Sequence, residues 1–159
     1  MSKGLKYLFI VCLESMEITN KTTKVDEEKL QQFLGKIMTD VGGTVSSVLV
    51  YVGDKLGLYR AMAEFGKPIS SSELADKTNT FERYVREWLA NQAAGGYVGY
   101  DSTSQRYFLP AENVAALVDE NSAAYVAGFF QAAMAFFKDA NKMLEIFRTG
   151  KGIPWGEHD

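Results

Sequence analysis

Very few side chains in this 159-residue chain are suited to catalysis or metal binding. His158 is the single histidine and Cys12 the single cysteine. An imidazole can act as a base near neutral pH, so His158 and the nearby Trp155 could line a substrate pocket. The alternative, which we favour, is a tryptophan that anchors a linker and a solvated terminal histidine. Because there is no CxxC motif and no Cys/His cluster, the sequence predicts no catalytic residue and no metal site.

A second group of candidates lies in the apolar segment from residue 123 to residue 137. Phe129, Phe130, Met134 and Phe137 could contact a hydrophobic substrate, although core or dimer packing is the interpretation we favour. We expect residues 121–150 to form one long helix whose front half is apolar on nearly every side. Such a helix is buried all round. A chain of this size buries it with difficulty, so we predict a second copy or a further domain as its cover. The alternative is a central core helix of a monomer.

Apolar residues recur at helical spacing from residue 30 to residue 56. Residues 26–28 are all acidic, and acidic residues stabilise a helix N-terminus. We therefore expect a helix to begin here. Gly42-Gly43 predicts a kink or break, since each glycine costs about 1 kcal/mol inside a helix. Gly57 predicts a turn into a short second helix.

The next stretch predicts two short helices separated by a tight turn. Ser70 and Glu73 are spaced as a capping box for a helix from Ser71 to about Lys77. Asn79 is the expected cap of the following helix. That helix has an apolar stripe and ends at Gly95-Gly96. The stripe consists of Phe81, Tyr84, Val85, Trp88 and Leu89.

A β-hairpin is predicted after these helices. The runs "YVGY" and "RYFLP" are both rich in β-forming residues, and they flank the polar loop "DSTSQ" before Pro110. Helix, turn, helix and hairpin make a winged helix-turn-helix. The predicted fold class is mainly α, with a small β-hairpin wing and additional long dimerisation helices.

The second helix of a helix-turn-helix usually reads DNA, but this one is not basic. We expect ion pairs between Glu82 and Arg86 and between Arg83 and Glu87, which would leave its face neutral. Arg106 is the only basic residue of the wing. DNA contacts usually recruit several Lys or Arg side chains, so nucleic-acid binding is not favoured. We instead interpret the module as a packing scaffold, with aromatic surface from Tyr84, Trp88, Tyr97 and Tyr100.

Three stretches together resemble a known family: "GDKLGLY", "ERYVREWL" and "AAGGYV". Residues 31–159 are similar to the N-terminal winged-helix domain of a class of S-adenosylmethionine-dependent methyltransferases. The resemblance implies that this domain forms homodimers and covers the substrate pocket. It also implies that S-adenosylmethionine is bound by a Rossmann-like catalytic domain that follows in longer relatives.

This chain has no segment that resembles the nucleotide-binding fingerprint of such a catalytic domain. Cofactor binding needs a strand, then a glycine-rich turn that opens a helix. "DVGGTVSS" lacks the spacing and lies in a helical pattern, and "AAGGYVGY" precedes strands instead of following one. We therefore predict that this chain alone binds no cofactor and catalyses no methyl transfer.

These observations divide the chain into an N-terminal extension (1–25), a winged-helix and dimerisation domain (26–149) and a linker to an absent catalytic domain (150–159). The extension is predicted to be disordered or to add a strand or helix turn. No uninterrupted apolar run reaches the roughly 18 residues of a membrane span. A single cysteine suits a reducing compartment, so we expect a cytoplasmic protein without a membrane partner. Two alternatives remain: a small winged-helix transcriptional regulator and a stand-alone protein-interaction scaffold.

Overall fold

The computed structural model describes residues 25–152, 154 and 156. The predicted N-terminal extension therefore lies outside the described residues except for Val25. The chain divides into two compact units at Thr39 and Asp40. The described part contains seven helices and two strands: α1 Glu27–Lys55, α2 Leu58–Phe65, α3 Ser71–Thr78, α4 Glu82–Ala94, β1 Gly99–Asp101, β2 Arg106–Phe108, α5 Ala111–Leu117, α6 Ala127–Lys138 and α7 Ala140–Thr149.

Helix α1 continues through Gly42-Gly43, so the predicted break is wrong. A glycine lowers helix stability but keeps its backbone hydrogen bonds, and 27 other residues of the same helix propagate the structure. The C-terminal half of the helix is also held by packing, since Val50 and Gly53 are buried. Local propensity is therefore outweighed here by helix length and tertiary contact.

By length and composition alone, α1 is also apolar enough to cross a membrane. This property does not follow from the uninterrupted apolar runs of the sequence, because polar residues interrupt the apolar positions of the helix. A helix surrounded by lipid is apolar on every side, whereas α1 is amphipathic. Its polar face comprises Gln32, Lys36, Thr39, Asp40 and Ser47.

The helix-turn-helix is built from α3 and α4, as the sequence predicts, and α2 precedes it. Gly57 adopts a left-handed conformation (φ 69°) and allows the sharp turn from α1 into α2. The capping box at α3 is present: the Ser70 hydroxyl accepts a hydrogen bond from the Glu73 backbone N–H, and the Glu73 carboxylate accepts one from the Ser70 N–H. The core lies between these helices, the wing and α5, and comprises Val50, Leu58, Tyr59, Ala61, Met62, Ile69, Leu74, Ala75, Val85, Trp88, Leu89, Val98 and Leu117.

The predicted cap of α4 is wrong. Asn79 is instead the left-handed C-cap of α3 (φ 52°), and Phe81 stands at the N-cap of α4 without a side-chain hydrogen bond. An asparagine suits either role, because its short amide tolerates positive φ as well as capping a helix start. Helix α4 thus begins two residues later than an Asn79 cap would place it.

The wing is the predicted antiparallel hairpin. Its register pairs Gly99 with Phe108 and Asp101 with Arg106. Ile69, which precedes α3, exchanges two backbone hydrogen bonds of 2.8 Å with Tyr107. The wing is therefore tied to the start of the helix-turn-helix and is not an isolated hairpin.

The last helical region differs from the single helix predicted for residues 121–150. Helix α6 begins only at Ala127, and α6 and α7 are separated at Asp139, which ends the first and caps the second. Asp139 is 2% exposed, and its carboxylate lies 2.7 Å from the Lys142 ammonium one turn later. Aspartate is a favoured N-cap residue, so a new helix start is locally compatible at this position.

Candidate docking surfaces

Trp88 fastens helix α4 to helix α1. Its indole N–H donates a hydrogen bond to the Leu49 carbonyl (2.9 Å), and its ring packs edge-on against Tyr59 at a centroid distance of 5.0 Å. The Tyr59 hydroxyl donates to the buried Gln92 side chain, and burial raises the pKa of Tyr59. Trp88 is thus buried, and its predicted role as aromatic surface is wrong.

Two aromatic side chains at the start of α4 face solvent, beside the charged residues of the helix. Val85, Trp88 and Leu89 of the predicted stripe point into the core, but Phe81 is 81% exposed and Tyr84 is 70% exposed. Helical spacing alone could not reveal this, because it does not show how far along the helix the core extends. This face is where a DNA-reading helix would present polar side chains.

An apolar groove lies beside Tyr84, between α4 and the C-terminal half of α1. It has a volume of about 280 Å³, and Glu87 and Thr80 are its only polar lining residues. Its other lining residues are Leu49, Val52, Leu56, Leu58, Tyr84, Val85 and Trp88. A concave surface of this composition suits a large apolar side chain from a partner.

Ion pairs within the module neutralise most of its basic residues. Arg86 lies 3.5 Å from Glu82, as predicted, and 3.9 Å from Glu87. The predicted pair between Arg83 and Glu87 does not occur among the ion pairs of residues 25–152. Glu87 instead lies near Arg86, the residue that precedes it in the sequence.

The wing arginine has a structural role. Arg106 lies 2.8 Å from the Glu73 carboxylate and also donates to the Pro68 carbonyl at 3.1 Å. The Ser70 hydrogen bonds, followed by the Arg106 charge, lower the pKa of Glu73. One carboxylate therefore joins the cap of α3 to the wing.

A wider cavity of about 560 Å³ lies between the wing, α2 and α5. Asp101 at its edge accepts hydrogen bonds from the Thr103 N–H and the Ser104 hydroxyl, which lower its pKa. The remaining lining is mostly aliphatic and aromatic: Met62, Ala63, Gly66, Lys67, Pro68, Phe108, Leu109, Ala111 and Val114.

The predicted site residues of α6 are placed in different surroundings. Phe129 is 75% exposed and Phe137 is half exposed, so the described residues do not bury α6 on every side. Phe130 packs edge-on against Tyr97 at 6.3 Å. Met134 lines a shallow cavity of about 410 Å³ with Tyr51, Gly128, Gln131, Ala132, Ala135 and Lys138. The structure therefore does not place α6 as a central core helix, and it leaves a surface on this helix to be covered.

The match to known proteins covers the helix-turn-helix and the wing. Residues 44–119 match the family described as the Rv2258c-like winged HTH domain. This segment is similar to the winged helix-turn-helix domain of that family. No curated protein sequence matches the chain.

Several solved structures with a similar fold are methyltransferases. The mitomycin 7-O-methyltransferase MmcR superposes with a TM-score of 0.64 at 21% identity, over 80% of this chain and 37% of that one. The S-adenosylmethionine-dependent methyltransferase SibL gives 0.59 at 24%, over 74% and 34%. CalO1, a methyltransferase of calicheamicin biosynthesis solved with SAH bound, gives 0.58 at 18%, over 81% and 37%. The chain thus spans about a third of the length of each of these structures.

Two predicted site residues of the tail, Trp155 and His158, lie outside the described residues. Among the residues that the structure does describe, no three His, Cys, Asp or Glu side chains are grouped as a metal site would require. The winged-helix domain therefore presents surfaces for docking, and the described part of the chain holds no cluster of catalytic groups that we can name.

Sequence reasoning missed that the apolar face of α1 is exposed among the described residues. The periodicity from Leu30 to Leu56 was a correct signal for an amphipathic helix, but it does not say what covers the apolar side. The exposed apolar residues of this stretch are Leu30, Phe33, Leu34, Ile37, Met38, Val41, Val45, Val48 and Leu56.

Proposed function

We propose that this chain is the dimerisation and substrate-lid module of an S-adenosylmethionine-dependent methyltransferase-like protein. The observation that carries the proposal is the combination of a methyltransferase-type winged-helix fold with long apolar faces that the chain leaves exposed. Large exposed apolar patches mark sites of association with other protein surfaces. In this proposal the module assembles and covers a catalytic site but does not itself perform the chemistry.

The proposed homodimer uses the apolar face of α1. An isolated amphipathic helix gains most of its stability from packing of its apolar side, so an uncovered face of this length is costly in water. A second copy of the chain supplies an identical apolar face. Two-fold dimers, in which both subunits use the same surface, are the commonest oligomers of soluble proteins.

The proposed lid and domain-docking surface lies on α6 and α7. Phe129, Phe136 and Phe137 of α6 are exposed, as are Leu144 and Phe147 of α7, the last at 90%. Aromatic side chains contribute strongly to protein interfaces and to the walls of apolar substrate pockets. We assign this surface to a catalytic domain and to the apolar part of its substrate.

S-adenosylmethionine belongs, in this proposal, to that catalytic domain. SibL is S-adenosylmethionine-dependent, and CalO1 was solved with SAH. The described part of this chain contains only a two-stranded antiparallel sheet, whereas the nucleotide fingerprint requires parallel strands that alternate with helices.

Calorimetry and transcript sequencing test the proposal. Titration of the chain with S-adenosylmethionine should give no heat of binding, and saturable binding would contradict the proposed division of labour. The reading frame beyond Asp159 should encode a glycine-rich strand-turn-helix. If neither the transcript nor a neighbouring gene encodes one, the methyltransferase part of the proposal is contradicted.

A further inference from the structure

Helices α6 and α7 bury few of their residues. We call residues 127–149 the arm. Ala127 and Asp139 are the only buried residues of the arm, and the Asp139 carboxylate is paired with Lys142 of the arm itself. Helix α4, by contrast, buries four side chains in 13 residues. Segments with few buried apolar contacts open at a lower free energy than the core, so the arm can move without opening the core.

The loop that joins α5 to the arm, residues 118–126, is stabilised mostly from within. Four of its N–H groups donate hydrogen bonds to acceptors in the loop itself. At its end, the Val126 N–H donates to the Ala116 carbonyl at 2.9 Å. Arg60 lies 3.6 Å from Glu120, but both side chains are exposed, and exposed ion pairs contribute little stability. Changes of backbone dihedral angles within this loop therefore leave the core intact.

Two side-chain contacts hold the arm against the winged helix. The Lys55 ammonium, at the end of α1, donates a hydrogen bond to the Gln131 side-chain carbonyl at 2.7 Å. The Phe130 ring packs edge-on against Tyr97, with 6.3 Å between the ring centroids. None of these four residues is fully buried, so both contacts can break without exposing a core side chain.

Beside these contacts, the arm is not closely packed on α1. A cavity of about 410 Å³ lies there, and Tyr51 is its only lining residue outside the arm. Close packing is what makes a protein interior resist movement, and this boundary lacks it. The face of α6 that carries Met134 therefore borders open space rather than a packed core.

We propose that the arm is a lid that swings about residues 118–126, and that the Lys55–Gln131 and Phe130–Tyr97 contacts are made only when it is closed. This inference rests on the proposed lid function and adds its motion. Lids are drawn from segments of low local stability, and their hinges are a few loop residues that absorb changes of φ and ψ. In the open position, the side of α6 that faces α1 becomes accessible to a substrate.

The distance between two spin labels measures this motion. In a Cys12→Ser background, Arg83→Cys on α4 and Asn141→Cys on α7 place both labels at exposed positions. Mixing the labelled chain with an excess of unlabelled chain removes distances between copies. We expect two populations of distances, one for the closed arm and one for the open arm.

Loss of either closing contact should enlarge the open population. Lys55→Met removes the hydrogen bond to Gln131, and Phe130→Ala removes the ring contact. Each should raise the ratio of open to closed arm by about threefold or more, because each contact stabilises only the closed arm. Lys77→Met is the matched control, because it removes an exposed ion pair with Glu64 that lies outside the arm.

The outcomes separate this motion from the proposed function. A single narrow distance that is the same in the unmodified, Lys55→Met and Phe130→Ala proteins would overturn the hinged lid. An equal response to Lys77→Met would also overturn it. Circular dichroism distinguishes swinging from local unfolding: if the open population grows only with loss of helix content, the inference fails. Each of these results leaves the proposed function to its own tests, calorimetry and the reading frame.

Discussion

Glycine is required at position 53 because two aromatic rings occupy the space of a side chain. A Cβ atom built there would lie 2.4 Å from the Trp88 ring and 2.9 Å from the Tyr59 ring. The close approach of α1 to these rings also allows the hydrogen bond from Trp88 to Leu49. One missing side chain thus sets the distance between α1 and α4.

Gly53→Ala should lower the free energy of unfolding by about 1–3 kcal/mol, because the rings must move apart to admit a methyl group. Urea denaturation at fixed protein concentration measures the change. Gly128→Ala is the matched control, since no atom lies within 4 Å of the Cβ position there. We expect that variant to be neutral or stabilised by up to about 1 kcal/mol. Equal effects of the two substitutions would contradict the packing account.

Glu73, which contacts Arg106 of the wing, makes the stability of the fold sensitive to acid. Its folded-state pKa is lowered by the Ser70 hydrogen bonds and by Arg106, so its ionised form stabilises the fold. This contribution is present above the unfolded pKa of about 4.3 and is lost as the pH falls through the lower folded value. Glu73→Gln should therefore reduce stability at pH 6 and flatten its fall below pH 4.5. The midpoint of urea unfolding, measured for both proteins across that pH range, tests this prediction. An identical dependence of the midpoint on pH in the two proteins would contradict this role of Glu73.

At the residue scale, the sequence predicted what depends on near neighbours. The Ser70 and Glu73 capping box and the Gly57 turn are local geometries, and both are confirmed. The partner of Arg106 was not predictable, because Glu73 is distant in sequence and is brought close only by the pairing of Ile69 with Tyr107. The role of Asn79 was ambiguous because two helix ends meet there.

At the element scale, helix α4 has one face in the core and one in solvent. Trp88 is buried and hydrogen-bonded, whereas Tyr84, one turn earlier, is largely exposed. The two residues belong to one stripe by spacing, and the sequence analysis placed both at the surface of the scaffold. Only the packing of α4 against α1 distinguishes them.

Trp88→Ala should cost about 3–5 kcal/mol of stability, since it empties the core beside Tyr59. Tyr84→Ala should change the stability of the monomer by no more than about 0.5 kcal/mol, as surface substitutions usually do. Thermal or urea unfolding of dilute protein compares them. A large loss in Tyr84→Ala would show that its ring is buried and would remove it from the proposed contact surface.

Element boundaries were predictable where a glycine turn, a capping box or a proline marks them. The wing agrees with the prediction, and Pro110, which closes it, stands at the N-cap of α5. The division between α6 and α7 has no such mark, because Asp139 is compatible with a helix interior as well as with a cap. Gly42-Gly43 predicted a boundary that does not exist, since a long helix tolerates two glycines that a short one would not.

At the scale of the whole molecule, charge and apolar surface point to association with protein. The net charge is −3. We expect no mobility shift of duplex DNA at either 50 or 200 mM salt, because phosphate contacts need several free basic side chains. A shift that weakens steeply with salt would contradict this expectation and favour a transcriptional regulator. The apolar surface of α6 could be inferred from composition, but the second copy or domain that packs against it could not.

Sedimentation equilibrium over a range from about 1 to 50 micromolar tests the central claim most directly. We predict a reversible monomer-dimer equilibrium, with twice the mass of one chain predominating at tens of micromolar. Leu34→Asp should shift that equilibrium to monomer, and Gln32→Asp should leave it unchanged. A single species with the mass of one chain at every concentration would contradict the assignment of the α1 face to a second copy.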